Sequence, residues 1–263
     1  MSSYFFDFES FVRLFGKLPP NCDPFSYEYT NWEMSFFNFL SGKNYCFELE
    51  GHDCCGHETL PPTVYLDIDT RISSMRTYAD FLDIARPEPG MRILEMGCGQ
   101  GNLLELLGRC GCNITGIEVS KSMVEYTLYR LASQNIKGRV ACGTYYDVEM
   151  LDEKFDMVVF EASFHHCGEP VRLLELLYKH TTDNAKIFLL REPISPNFDR
   201  PWGIVRYDTE TIVTIRLRGW LELGFRTDYF NALLQKTGFK LLNTHVLGDH
   251  TPIFEIVKSF DGN

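Results

Sequence analysis

Between residues 91 and 191 the chain alternates short apolar runs with stretches of helical periodicity, and this alternation restricts the possible folds more than any other feature of its 263 residues. The spacing predicts strands over Met91–Glu95, Asn113–Glu118, Arg139–Cys142, Phe155–Glu161 and Lys186–Arg191. Between them it predicts helices over Asn102–Arg109, Ser120–Gln134 and Val171–His180, with Ser120 as an N-cap. Phe155–Glu161 is apolar enough to be covered on both faces, as strands of a parallel sheet are. Further on, a helix over Asp228–Lys236 ends near Gly238, where a C-cap belongs. Two last strands, about Lys240–Val246 and Ile253–Lys258, are joined by a turn around Gly248-Asp249 and form a hairpin. The expected fold class is α/β: a doubly wound, mostly parallel seven-stranded sheet with a C-terminal antiparallel hairpin.

An N-terminal helical and loop extension precedes this sheet. Residues 1–70 are rich in Phe and Tyr and are broken by Pro19, Pro20, Pro61 and Pro62. Asp69–Ala85 reads as one amphipathic helix, with Ile72, Met75, Tyr78 or Ala79, and Leu82 at helical spacing. The expected division is therefore 1–70 and 71–263, with 192–227 as an insert in the second part. Tyr27, Tyr29, Trp32, Phe36 and Phe37 suit a lid that excludes water or the interface of a homodimer. Trp32, Phe36 and Phe39 also sit at helical spacing, the usual mark of a core stripe.

Charge argues against a nucleic-acid partner. The net charge is −11, and the densest basic set is Arg216 with Arg218, ten residues after Arg206. The first seventeen residues lack the order of a secretion signal, and no apolar run reaches membrane-span length. A cytoplasmic protein with no membrane partner is expected, its nine cysteines reduced. Cys46, His52, Cys54, Cys55 and His57 are zinc-ligand types within twelve residues. Their spacing matches no known knuckle, and adjacent Cys54 and Cys55 are awkward for one tetrahedral ion. The expectation is a loop of reduced thiols and no metal.

The densest motif is Glu95-Met96-Gly97-Cys98-Gly99-Gln100-Gly101, between a strand and a helix. Gly97 and Gly99 let the backbone turn sharply and approach a ligand, and Gly101 opens a helix whose first N–H groups are free. Such turns also occur without a ligand. Here the spacing is G-x-G-x-G rather than the dinucleotide G-x-G-x-x-G, with an acid two residues before the first glycine. A second acid, Glu118, ends the next strand, where a carboxylate accepts ribose hydroxyls. In these residues the chain resembles the class I S-adenosylmethionine-dependent methyltransferases, Rossmann-like enzymes, over roughly residues 71–258. The resemblance implies S-adenosylmethionine as donor and S-adenosylhomocysteine as product. It implies that Glu95, Gly97, Cys98, Gly99 and Gly101 surround the methionine and ribose parts. Glu118 would bind the ribose and Val119 would pack on the adenine. Where the family commonly has Gly-Asp-Ala, this chain has Gly143-Thr144-Tyr145, so the adenine contact falls to Thr144, Tyr145 or Asp147. Glu161 ends strand four at the same edge. A basic side chain within 71–76 is a candidate partner for the donor's carboxylate.

Strand four runs on into Ser163-Phe164-His165-His166-Cys167. A hydroxyl acceptor loses its proton as it attacks, so His166, or His165, is the candidate base. The alternative is that both imidazoles shape the donor pocket. In the insert, Trp202, Arg206 and Arg218 suit a polar ring, by stacking and by forked hydrogen bonds. The expected reaction is O-methylation of a sugar or similar small metabolite. N-methylation and a non-catalytic donor-binding scaffold are the alternatives.

Overall fold

A computed structural model describes residues 7–51, 68–247 and 251–259. In chain order the elements are α1 (Phe8–Phe15), α2 (Tyr27–Ser41), α3 (Ile68–Ala85), β1 (Arg92–Met96), α4 (Asn102–Arg109), β2 (Asn113–Glu118), α5 (Lys121–Ser133), β3 (Gly138–Cys142), β4 (Phe155–Glu161), α6 (Pro170–His180) and β5 (Thr181–Leu190). Then come β6 (Ile194–Ser195), β7 (Trp202–Gly203), α7 (Thr209–Arg218), β8 (Gly224–Arg226), α8 (Thr227–Lys236), β9 (Phe239–His245) and β10 (Ile253–Lys258). The chain divides into two compact units.

The sheet unit holds the described parts of residues 51–164, 169–192 and 234–263. Its seven strands run in the order β3-β2-β1-β4-β5-β10-β9. β1 pairs in parallel with β2 on one side and β4 on the other, so strand order reverses between β1 and β4. Open α/β sheets bind ligands at the carboxyl edge beside such a reversal. β10 is antiparallel to both β5 and β9, which makes the terminal hairpin. The turn proposed around Gly248-Asp249 lies outside the described residues. Ser120 caps α5 as the sequence requires, its side chain accepting from the Met123 amide. Phe81, Ile93, Leu103, Leu107, Met157, Val159 and Phe188 form part of one buried core that α3 and α4 share with the central strands.

One strand differs from its sequence pattern. β5 begins at Thr181, not Lys186, and its register against β4 shifts between Phe155 and Met157. Exposed Asp183 and Asn184 interrupt the apolar run there, so hydrophobicity alone hides the start of the strand.

The aromatic unit comprises the described parts of residues 1–50 together with 165–168 and 193–233. It therefore joins the N-terminal extension to the insert, two segments that chain order separates. Ser26 caps α2 and Gly42 ends it in the left-handed region. Asp208 and Gly219 do the same for α7. β6, β8 and β7 form a small three-stranded sheet in that order, and strands of two or three residues carry no periodicity for a sequence to reveal. The aromatic stripe of α2 is core. Tyr29, Trp32, Phe36 and Phe37 are buried, while Tyr27 and Phe39 are exposed. The lid and dimer readings thus lose most of the rings they relied on. Under these rings Arg200 pairs with buried Glu33, is bonded to Tyr207 and lies over the Phe8 ring.

Candidate functional site

The site in the sheet unit is built from the turn after β1. Gly97, Gly99 and Gly101 all have positive φ, which an L side chain rarely adopts. At Gly97 a Cβ would come within 2.8 Å of the Ser163 Cβ and 3.2 Å of the Tyr145 hydroxyl. At Gly101 it would run into Thr127 Cγ2. The turn is held at several points. The Gly97 and Cys98 amides donate to the Ile117 carbonyl, and Thr127 donates to the Gly99 carbonyl at 2.8 Å. Glu118 accepts from the Gly99 amide at 2.9 Å and from the Ser120 amide at 2.8 Å. A carboxylate offers about four acceptor positions, so two amides fix its orientation without saturating it. Val119, next along the chain, is half-buried.

Glu95 is buried, and its Oε2 has no hydrogen-bond partner. Burial, joined by the charges of Glu161 and Glu118, pushes its carboxyl well above the usual range, against a bond from the Leu104 amide. Glu161 is paired with Arg191, whose Nη1 also donates to Ser74 Oγ at 3.1 Å. Burial raises the Glu161 carboxyl as well, and Arg191 opposes that shift. The Arg191 Nε is buried and unpartnered. One edge of the sheet therefore presents an unmatched carboxylate oxygen and an unmatched guanidinium N–H, in a buried environment where each costs roughly 1–3 kcal/mol if left unmade. Ala162 and Arg191, the residues just past β4 and β5, are both left-handed at φ 49° and 57°. Such backbone strain collects where function needs it.

Thr144 and Asp147 are bound to each other in a capping box, with Asp147 Oδ2 accepting from the Thr144 amide at 2.6 Å. Asp147 is thus engaged locally rather than held out for a ligand. Tyr145 donates to the Ser163 carbonyl at 2.6 Å, which ties the turn after β3 to the turn after β4. Cys98 is buried, and burial raises its thiol well above the usual value, so it is a packing residue without nucleophilic character.

The residues assigned to the acceptor by sequence lie in the aromatic unit. His165 and His166 stack at 4.2 Å between ring centroids. His166 Nδ1 is 3.2 Å from Glu50, and His165 Nε2 is 3.9 Å from Glu222. Trp202 is only 2% exposed, and its indole N–H donates to the Pro24 carbonyl, so its ring is a core side chain. Arg206 is exposed and bonded to Asp208. Arg218 lies over the Trp220 ring at 4.5 Å. Cys46 is exposed, while His52, Cys54, Cys55 and His57 lie outside the described residues.

Comparison with known proteins shows what the central segment is similar to. Residues 93–184 match a protein family described as a methyltransferase domain. This segment is similar to methyltransferase domains. It contains β1, the glycine turn, Glu118 and the strands up to β4. The chain is 31% identical over 98 residues to a ubiquinone biosynthesis O-methyltransferase of Mesorhizobium japonicum, covering 34% of this chain and 39% of that one. It thus spans about two fifths of that relative's length. Two solved structures share the fold. A mitomycin 7-O-methyltransferase superposes with a TM-score of 0.56 at 16% identity, over 91% of this chain and 74% of its own. The magnesium protoporphyrin IX methyltransferase of Synechocystis, with S-adenosylmethionine bound, gives 0.52 at 17% identity, over 73% and 82%. The parts played by Arg191, Ser163 and Ser74 of the sheet unit escaped the sequence reading. The turn after β4 was legible as a site, but nothing in the sequence marks Ser163 as the residue facing Gly97.

Proposed function

We propose that the chain is a methyltransferase that takes its methyl group from S-adenosylmethionine and passes it to a hydroxyl of a small polar metabolite, most simply a sugar. The observation that carries this reading is the buried, unpartnered Oε2 of Glu95, beside a glycine turn that admits no side chain at Gly97 and a carboxylate, Glu118, oriented by two amides. These features fit the donor. Glu95 Oε2 is an acceptor for its ammonium, and the Arg191 Nε–H is a donor for its carboxylate. Glu118 accepts from ribose hydroxyls, and Val119 offers an apolar face to the adenine. When bound, the donor supplies a sulfonium methyl open to in-line displacement. The chain's own groups then hold the donor, with Glu95 and Glu118 taking its protons in hydrogen bonds and the glycines allowing close approach. Oxygen is favoured over nitrogen as acceptor because the ubiquinone relative and the mitomycin structural neighbour are O-methyltransferases. The sugar is supported by the polar Arg206 and by Arg218 stacked on Trp220.

The test is release of S-adenosylhomocysteine by the purified chain when it is offered separate sets of sugars, phenols, amines and peptides. Turnover confined to hydroxyl compounds supports the reading, and turnover with sugars supports its finer part. Turnover confined to amines replaces oxygen with nitrogen as the acceptor. Donor binding with no turnover in any set contradicts the enzyme assignment.

A further inference from the structure

We propose that His165, His166 and Glu222 bind a divalent cation of the zinc class, with Glu50 positioning His166. All four residues belong to the aromatic unit, so the proposal goes beyond the donor reading and does not depend on it. One ligand atom from each of His165, His166 and Glu222 lies within 4.8 Å of the others. Ligands around a tetrahedral zinc with bonds of about 2.0–2.1 Å sit about 3.3 Å apart, so small rotamer changes close the set. Two imidazoles and one carboxylate supply three ligands and leave a coordination position for an exogenous one.

The surrounding backbone sets these side chains in place. The Leu221 amide donates to Glu50 Oε1 at 2.8 Å, and the Leu223 amide donates to the His165 carbonyl at 3.1 Å. Glu222 is thus fixed between two anchored neighbours, one tied to Glu50 and one to the histidine turn. Glu50 Oε2 lies 3.2 Å from His166 Nδ1. A carboxylate this close to the ring can orient it. Outer partners of metal-bound histidines are arranged in this way. Trp220 meets the His166 ring edge-on and restricts its rotation.

Charge points the same way. The Glu50 and Glu222 side chains are 10% and 16% exposed. Among the described residues, neither forms an ion pair with a lysine or arginine; the partner of each is a histidine. A dication suits two carboxyl groups and two imidazoles gathered in so shielded a place.

Titration of the full, chelator-stripped chain with cobalt(II), followed by visible absorption, tests this directly. One equivalent is expected to give the weak bands of nitrogen and oxygen ligation without the thiolate charge-transfer bands of cysteine ligation. Glu222→Gln and His165→Ala are expected to weaken binding a hundred-fold or more, and Glu50→Gln by roughly ten- to a hundred-fold. A Cys54→Ser/Cys55→Ser variant is expected to bind as the parent does. Glu222→Gln preserves shape, so an unchanged melting transition shows that its loss of cobalt is a loss of ligand. Absence of the bands in the parent, or equal affinity in Glu222→Gln, overturns the proposal. A metal-free chain that still binds S-adenosylmethionine leaves the donor reading intact, so the two ideas fail separately.

Discussion

The Glu118 carboxylate accepts the Gly99 amide at 2.9 Å and so joins the end of β2 to the glycine turn after β1. The same carboxylate accepts the Ser120 amide, the first step into α5. The residue proposed for the donor's ribose is thereby also a brace of the turn proposed to receive the donor. Replacing it by alanine removes both roles at once. Glutamine keeps the shape and one carbonyl oxygen, and it separates charge from bracing.

Gly101→Ala is expected to destabilise the chain by roughly 1–3 kcal/mol, because its Cβ runs into Thr127 and its backbone is left-handed. Thr127→Ser removes the colliding methyl and keeps the hydroxyl that donates to Gly99. The double variant should therefore recover part of the loss in chemical denaturation. If it is no more stable than Gly101→Ala alone, steric collision with Thr127 is not the cause.

Arg200→Met leaves the buried Glu33 carboxylate without its cation, and burial already raises that carboxyl against the pull of Arg200. The expected cost is about 3–5 kcal/mol at pH 7. Adding Glu33→Gln should restore much of it, since the uncompensated charge is then gone. Urea denaturation of both variants measures the difference, and equal stabilities would contradict a charge-based cost.

Glu255 makes a pH prediction. Burial pushes its carboxyl up, but bonds from Asn243, Lys186 and His245 outweigh burial and hold it at about 2, against an ordinary 4.5. A depressed folded value means that ionised Glu255 favours the folded chain. Its contribution is complete above about pH 5 and fades as pH falls from 4.5 toward 2. Glu255→Gln should thus be less stable than the parent at pH 7, and the gap should narrow at pH 3. A gap that is constant between these pH values would show that the carboxylate's charge is not what stabilises β10 against β9 and β5.

Most of the sheet was legible because its central strands are apolar runs and α5 opens on a clear cap at Ser120. Asn102–Arg109, Asn113–Glu118 and Phe155–Glu161 appear in the structure with the predicted bounds. The glycine turn was legible because a left-handed backbone with side chains packed close to it permits few residue types. The aromatic unit was not, because its parts come from three separated stretches, and sequence periodicity reports only neighbours along the chain. Trp202 shows the consequence. Amid arginines and prolines it reads as a surface ring, whereas α2, about 170 positions earlier, supplies Tyr29 to pack against it. The Glu50–His166 pairing is hidden for the same reason.

Titration calorimetry with S-adenosylmethionine and S-adenosylhomocysteine, on the parent and on Glu118→Gln, tests the central claim most directly. Micromolar binding of both to the parent, weakened ten-fold or more in the variant, is the predicted result, since a charge-assisted hydrogen bond contributes about 1.5–3 kcal/mol and about 1.4 kcal/mol is ten-fold. Absence of binding by the parent, or equal affinity in the variant, would contradict the assignment of this turn and its carboxylate to the donor.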